Sequence, residues 1–322
     1  MSRRGWILFI ALSVIWGLPY LFIKIADSGV AVPVLVLARV AIGTAVLLPV
    51  AIRRRQLGAV WGVWPWAMTF AFVEIIIPWF ALSQAERTLS SSLSGLLVAS
   101  VPVIVVILSL LTRTGDRVSA VRWIGLLVGL AGVAMLAGPN VFGAGAGRGT
   151  AVGVGEVLFV ALCYATGPLI ANRRLASVPP LAMTAACLGL ATVVSAPVAA
   201  ANWPARVPPA RVLLALAVLG LVCTAVAFLI FFRLIAEVGP ARASVITYLN
   251  PAVAVTLGVL VLHERVTALM LGAFATVLFG SVLATRPAAR PARDLVGSTA
   301  VPTEAGLMAG SGDDIGDMEA RT

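Results

Sequence analysis

LFIALSVIWGLPYLFIKIA, residues 8–26, aligns without a gap on LFVALCYATGPLIANRRLA, residues 158–176. The same spacing recurs elsewhere. DRVSA at 116–120 answers ERVTA at 264–268, Pro102 answers Pro251, and Gly132 and Pro139 answer Gly280 and Pro287. These offsets agree within two residues, so the chain carries one period that divides it into two halves.

What each half contains follows from composition. Of 322 residues, 61% are hydrophobic and 11% charged, with a mean hydropathy of +1.06; a soluble domain carries about a quarter charged residues. The unit to count is therefore the membrane span of about 20 apolar residues. Apolar runs fall at 6–25, 32–52, 62–82, 91–111, 121–137, 153–171, 180–200, 211–232, 244–262 and 268–285. Helices are expected, because backbone amides in hydrocarbon must pair within the segment and no run alternates apolar and polar residues as barrel strands do. The expected fold is an all-α integral membrane protein of ten transmembrane helices. Residues 1–138 form the first repeat and 150–285 the second. Residues 286–322, rich in Pro, Gly, Ala and charge, read as a disordered cytoplasmic tail. The opening run is too long to be a cleaved signal and has an internal copy, so it is a span.

Five spans per half is an odd number, so the second repeat enters the membrane from the side opposite to the first and the two are inverted. Secondary carriers use that architecture to place a central site between two halves that rock; some channels share it. Orientation comes from the arginines. With an internal N-terminus, fifteen of them (Arg3, Arg4, Arg53, Arg54, Arg55, Arg113, Arg117, Arg122, Arg173, Arg174, Arg233, Arg242, Arg286, Arg290 and Arg293) fall on the cytoplasmic side. Five (Arg87, Arg148, Arg206, Arg211 and Arg265) fall outside. Both termini are then cytoplasmic, and the net charge of +10 reflects membrane orientation rather than nucleic-acid binding.

Several chemistries are poorly provided for. Cys163, Cys187 and Cys223 lie singly in different spans, and His263 is the one histidine, which leaves no metal-ligand spacing and no Ser-His-Asp triad. No GxxxxGK[ST] loop for ATP occurs, and no cofactor is implied. Of thirteen acids six lie in the tail, and the other seven are scattered, unlike the clustered acids of a membrane-embedded lipid-modifying enzyme. A secondary carrier is the leading reading, with a channel and such an enzyme as alternatives.

At helical spacing Ser13, Trp16, Gly17, Tyr20 and Lys24 make a polar and small stripe on the first span; Ser244, Thr247, Tyr248 and Pro251 make another on the ninth, with Asn250 beside it, and the sixth offers Tyr164 and Thr166. Such stripes either line a cavity or let helices approach closely. Gly125, Gly129 and Gly132, and Gly272, Thr276 and Gly280, form small-residue rows suited to packing within the chain or to a homodimer interface. Arg39 and Glu74 are charges well inside spans, at similar depth. Intramembrane ions pair or face water, so the two are expected within reach of each other, with Glu74 able to exchange a proton.

The run AFLIFFRLIAEVGPARASVITYLNPAVAVTLGVLVLHERVTALMLGAFATVLFGSVLA, residues 227–284, resembles the second repeat of EamA-type members of the drug/metabolite transporter superfamily, through Tyr-Leu-x-Pro in the ninth span and Glu-Arg before the tenth. VIWGLPYLFIK, LARVAIGTAVL and ALSQAERTLSSSLSGLLVASVPVIVVIL are similar to the first repeat, although TRTGDRVS carries Asp116 where that family's loop has Glu. The resemblance implies a ten-helix inner-membrane carrier that exports a metabolite, amino acid or drug-like solute. The expected site comprises Trp16, Tyr20, Arg39, Glu74, Trp79, Tyr164, Tyr248 and Asn250. A small solute, the lipid bilayer and a coupling proton are the expected partners.

Overall fold

The structure is a computed structural model that describes residues 2–111, 120–143, 147–239 and 244–285. Asp116, Arg113, Arg117, Arg242 and the segment 286–322 lie outside them. Among the described residues all regular structure is helical. Eight helices are long and apolar enough to cross a membrane: α1 (Arg3–Asp27), α2 (Val32–Arg53), α3 (Trp64–Ala85), α4 (Ser91–Leu111), α5 (Ala120–Phe142), α6 (Arg148–Arg174), α7 (Pro180–Ala201) and α8 (Ala210–Val238). Two shorter apolar helices follow, α9 (Ile246–Leu262) and α10 (Ala268–Ala284). Each coincides with an expected span. Large apolar side chains such as Leu127, Leu260 and Phe279 are exposed on the outside of the bundle, as suits a surface facing hydrocarbon rather than water.

Local chemistry sets the ends. Ser2, Ser90 and Thr267 accept hydrogen bonds from backbone amides in the first turns of α1, α4 and α10. Proline stands in the first turn of α2 and α7, where its missing N–H costs nothing. Helix α9 ends at His263, held in the left-handed conformation at φ 53°.

Features at matching positions in the two halves interrupt the helices. Wide π turns occupy Phe72–Ile76 of α3 and Val218–Val226 of α8. Helix α4 is broken at Ala99 and Ser100, just before Pro102, and α9 changes from a 3₁₀ turn, Ser244–Tyr248, to α-helix just before Pro251.

The halves interlock rather than stand side by side. Helix α1 packs on α8 and α9 of the second half, and α6 packs on α3 and α4 of the first; α2 meets α8 as α7 meets α3; α2 meets α7, α4 meets α9 and α5 meets α10. Exchanging the halves leaves this set of partners unchanged. Two side chains 148 positions apart, Thr44 and Thr192, hydrogen-bond to each other at 3.1 Å. The seam between α5 and α10 is so close that a Cβ on Gly132 would lie 2.7 Å from the Val277 amide nitrogen and 2.9 Å from the Ala273 carbonyl oxygen. Of the small residues expected to pack, Gly125, Gly129, Gly132 and Gly280 all do so; Gly272 faces open space.

Candidate functional site

Arg39 is the residue around which the bundle is polar. It is 6% exposed, on α2, with its guanidinium carbon 3.6 Å from the centroid of the Trp79 ring on α3. Its Nε donates to the Thr224 hydroxyl on α8 at 3.2 Å. That hydroxyl donates in turn to the Leu219 carbonyl five residues back, at 2.8 Å, a partner that the π turn brings into range. Tyr164 on α6 and Tyr20 on α1 lie within electrostatic reach of the guanidinium. Five helices, α1, α2, α3, α6 and α8, thus contribute one side chain or more to a buried cationic and aromatic centre. The cation stacks on a ring and on a hydroxyl, a setting that suits the planar, weakly hydrated guanidinium better than an ammonium.

The expected pairing of Arg39 with Glu74 is corrected by the structure. Among the described residues the ion pair formed is Arg87 with Asp27, at 3.4 Å. Glu74 lies in the π turn of α3, and its carboxylate packs against the bare backbone of Gly167 on α6, leaving no room there for a Cβ. Its Oε2 is buried with no hydrogen-bond partner among the described residues. Depth along two helices fixed only one coordinate; the π turn displaces the azimuth on which the pairing depended. Tyr164 lies within reach of both charges and stands as the link between them.

The remaining expected residues divide. Tyr20, Trp79 and Tyr164 join Arg39. Trp16 instead meets Phe231 and Phe228 of α8, with ring centroids 4.9 and 6.1 Å away. With its amide turned so that the nitrogen faces the two oxygens, Asn250 donates to the Ser13 and Ile246 carbonyls at 3.2 and 3.1 Å and clamps α9 to α1. Tyr248 closes the 3₁₀ turn Ser244–Tyr248 and is half-buried. Sequence reading missed Thr224, whose part depends on a π turn without a sequence signature.

Arg39, Tyr20 and Trp79 are buried in this centre, and Tyr164 is half-buried. Two depressions, of about 380 and 340 Å³, open where α1 and α3 finish. Gln84 lines both, with Thr88, Arg148 and Glu156 in one and Val32, Phe80 and Val198 in the other; Arg39 lines neither. Lying over the centre at this end is a polar layer. Lys24 Nζ donates to the backbone carbonyls of Glu86 and Leu89, Arg87 pairs with Asp27, and Glu264 from the α9–α10 loop accepts from the Ser91 and Ser92 amides at 2.8 and 2.9 Å.

Comparison with known proteins agrees with this architecture. The EamA-like transporter family matches residues 3–138 and again residues 152–286. A protein of Escherichia coli strain K12 described as an uncharacterized inner membrane transporter, YedA, is 26% identical over 281 residues, 85% of this chain and 88% of its own length; the same protein of strain O157:H7 matches equally. One crystal structure shares the fold with a TM-score of 0.62 at 22% identity, over 88% of this chain and 97% of that one. With both halves matched, the chain belongs to the EamA-like transporter family.

Proposed function

We propose that this membrane transporter is a secondary carrier that moves a small amphipathic solute bearing an anionic group by alternating access, with Arg39 as the group that holds the anion. One observation carries the reading: a cation buried to 6% exposure forms no ion pair within the described chain. An isolated buried charge is expensive, and a solute carboxylate or phosphate would neutralise it with the bidentate geometry that guanidinium favours. Trp79, Tyr20 and Tyr164 would take the apolar part of the solute, and Glu74 is available to exchange a proton beside them.

Alternating access follows from reading residues 1–138 and 150–285 as inverted five-helix repeats, ten spans in all, with 286–322 as a cytoplasmic tail. The exchangeable helix contacts, the paired π turns and the twofold family match support it. The printed name of the Escherichia coli relative and the arginine asymmetry support an inner-membrane protein with both termini in the cytoplasm. The polar layer at Glu86 then faces outward, and export is the proposed direction.

The test is flux into proteoliposomes of purified protein, screened with radiolabelled amino acids and carboxylic acids. For a solute that saturates, Arg39→Gln raises KM about tenfold or more, and Arg39→Lys recovers only part of the loss because it stacks poorly on Trp79. Glu74→Gln removes the response to a pH gradient. If both Gln variants carry the solute like wild type, the centre is structural and the proposal fails.

A further inference from the structure

Glu86 is the most deeply buried acid of the described chain and is absent from the arrangement above. It stands immediately past the end of α3, is 0% exposed, and neither carboxylate oxygen has a hydrogen-bond partner among the described residues. Lys24, the nearest cation, gives its ammonium to the Glu86 and Leu89 backbone carbonyls instead. The charged and titratable groups that bear on Glu86 are Lys24, Asp27 and Tyr20 on α1, Arg39 on α2, its neighbour Arg87, and Glu264 from the α9–α10 loop.

The neighbouring ions are engaged elsewhere: Lys24 on backbone carbonyls, Arg87 on Asp27, Glu264 on the Ser91 and Ser92 amides, and Arg39 on Trp79 and Thr224. A carboxylate that receives no donor would be a costly charge in a dry site. The surroundings are also built for wetting. The Ser83 and Ser94 hydroxyls at the same end are buried at 1% and 0% exposure, with no partner among the described residues. Unpaired buried polar groups destabilise a closed arrangement relative to one in which water reaches them.

We propose that Glu86 is a proton-binding site that latches this end of the carrier: it holds a proton while the end is closed, as here, and gives it up to solution when the end opens. The proton comes from and returns to the solution on that side, and the carboxylate left behind is hydrated. The proposal rests on the alternating-access reading and deepens it by placing an ion at the closure rather than at the solute. Burial pushes the Glu86 carboxyl well above the ordinary Glu range; Lys24 and Arg39 oppose this, and Glu264 and Asp27 reinforce it. A group whose closed-state pKa is raised favours closure fully below its open-state value, about 4.3 for hydrated Glu, and the bias is lost as pH rises through the closed-state value. Alkaline solution opens the end.

The test uses the full chain in lipid nanodiscs, where both faces are reachable and no solute is needed. Ser83, one turn before Glu86 on the same face of α3, is changed to Cys, and its labelling by a charged maleimide is followed from about pH 5 to about pH 8. Two corrections apply. The parent protein's labelling is subtracted, its three native cysteines being buried, and the rate is divided by that of Gln84→Cys, an exposed site that reports intrinsic thiol reactivity. The normalised rate should rise about tenfold with pH in wild type and stay low throughout in Glu86→Gln, which mimics the protonated form. Should Glu86→Gln fail to fold, Glu86→Asp must shift the midpoint. A flat wild-type profile, a Gln variant that responds like wild type, or an Asp variant with an unmoved midpoint overturns the proposal. A chain that labels as expected yet moves no solute overturns the carrier reading and leaves the proton site standing.

Discussion

Glu264 caps a helix to which it is not joined. Its carboxylate takes the Ser91 and Ser92 amides at the start of α4, which tethers the α9–α10 loop to the first half of the chain. Desolvation would push the carboxyl up, but the hydrogen bonds from Ser92 and Ser91 outweigh it and hold the group below its ordinary range. A depressed pKa contributes stability that is present above about pH 4.3, the unfolded value, and lost as pH falls through the folded one. Glu264→Ala should therefore lower stability by about 1 kcal/mol at neutral pH, read by thermal unfolding in detergent. The gap to wild type should close in acid; a gap that persists unchanged there would show that the carboxylate is not what matters. In the sequence this glutamate was visible only as half of a Glu-Arg motif. Its partners lie more than 170 positions away, and no periodicity reports contacts of that range. Glu86 escaped notice for another reason: a charge just past an apolar run reads as a span boundary, and its burial appears only in the folded chain.

Among the elements, ten apolar helices were legible because hydrocarbon demands a long uninterrupted run for each. How those helices turn about their own axes was less legible. A π turn adds a residue and rotates everything after it, so the faces of α3 and α8 cannot be assigned by counting in 3.6s; that is why Thr224 beside Arg39 was not foreseen, and a pairing of Arg39 with Glu74 was expected instead. The small-residue row of α10 shows the same limit. Gly272 and Gly280 look alike in the sequence, yet a Cβ at Gly280 would collide with the backbone of Gly129, whereas at Gly272 it meets nothing within 4 Å. Gly280→Val should accordingly cost about 3 kcal/mol through forced separation of α5 and α10, and Gly272→Val should fall within about 0.5 kcal/mol of wild type, in the same unfolding assay. Equal effects at the two positions would mean that helix propensity, not the seam, governs α10.

At the scale of the whole molecule, the repeat and the arginine count fix a testable orientation. A reporter enzyme active only in the cytoplasm should work when fused after Arg55, Arg174 or Arg293 and be silent after Arg148; the reverse pattern refutes the orientation and leaves the repeat intact. The repeat was readable because three separate regions share one offset. The buried centre was not, since a sequence specifies the lining of a path but not which end of it is shut. The bond between Thr44 and Thr192 bears on that question. In a molecule whose halves trade conformations, a residue that touches its own counterpart keeps the same neighbour before and after the trade. Under the proposed alternating access that pair would be a fulcrum: altering it would change how firmly both states are held without tilting the balance between them, whereas a bias toward the inside or the outside would come from places where the two halves are spelled differently.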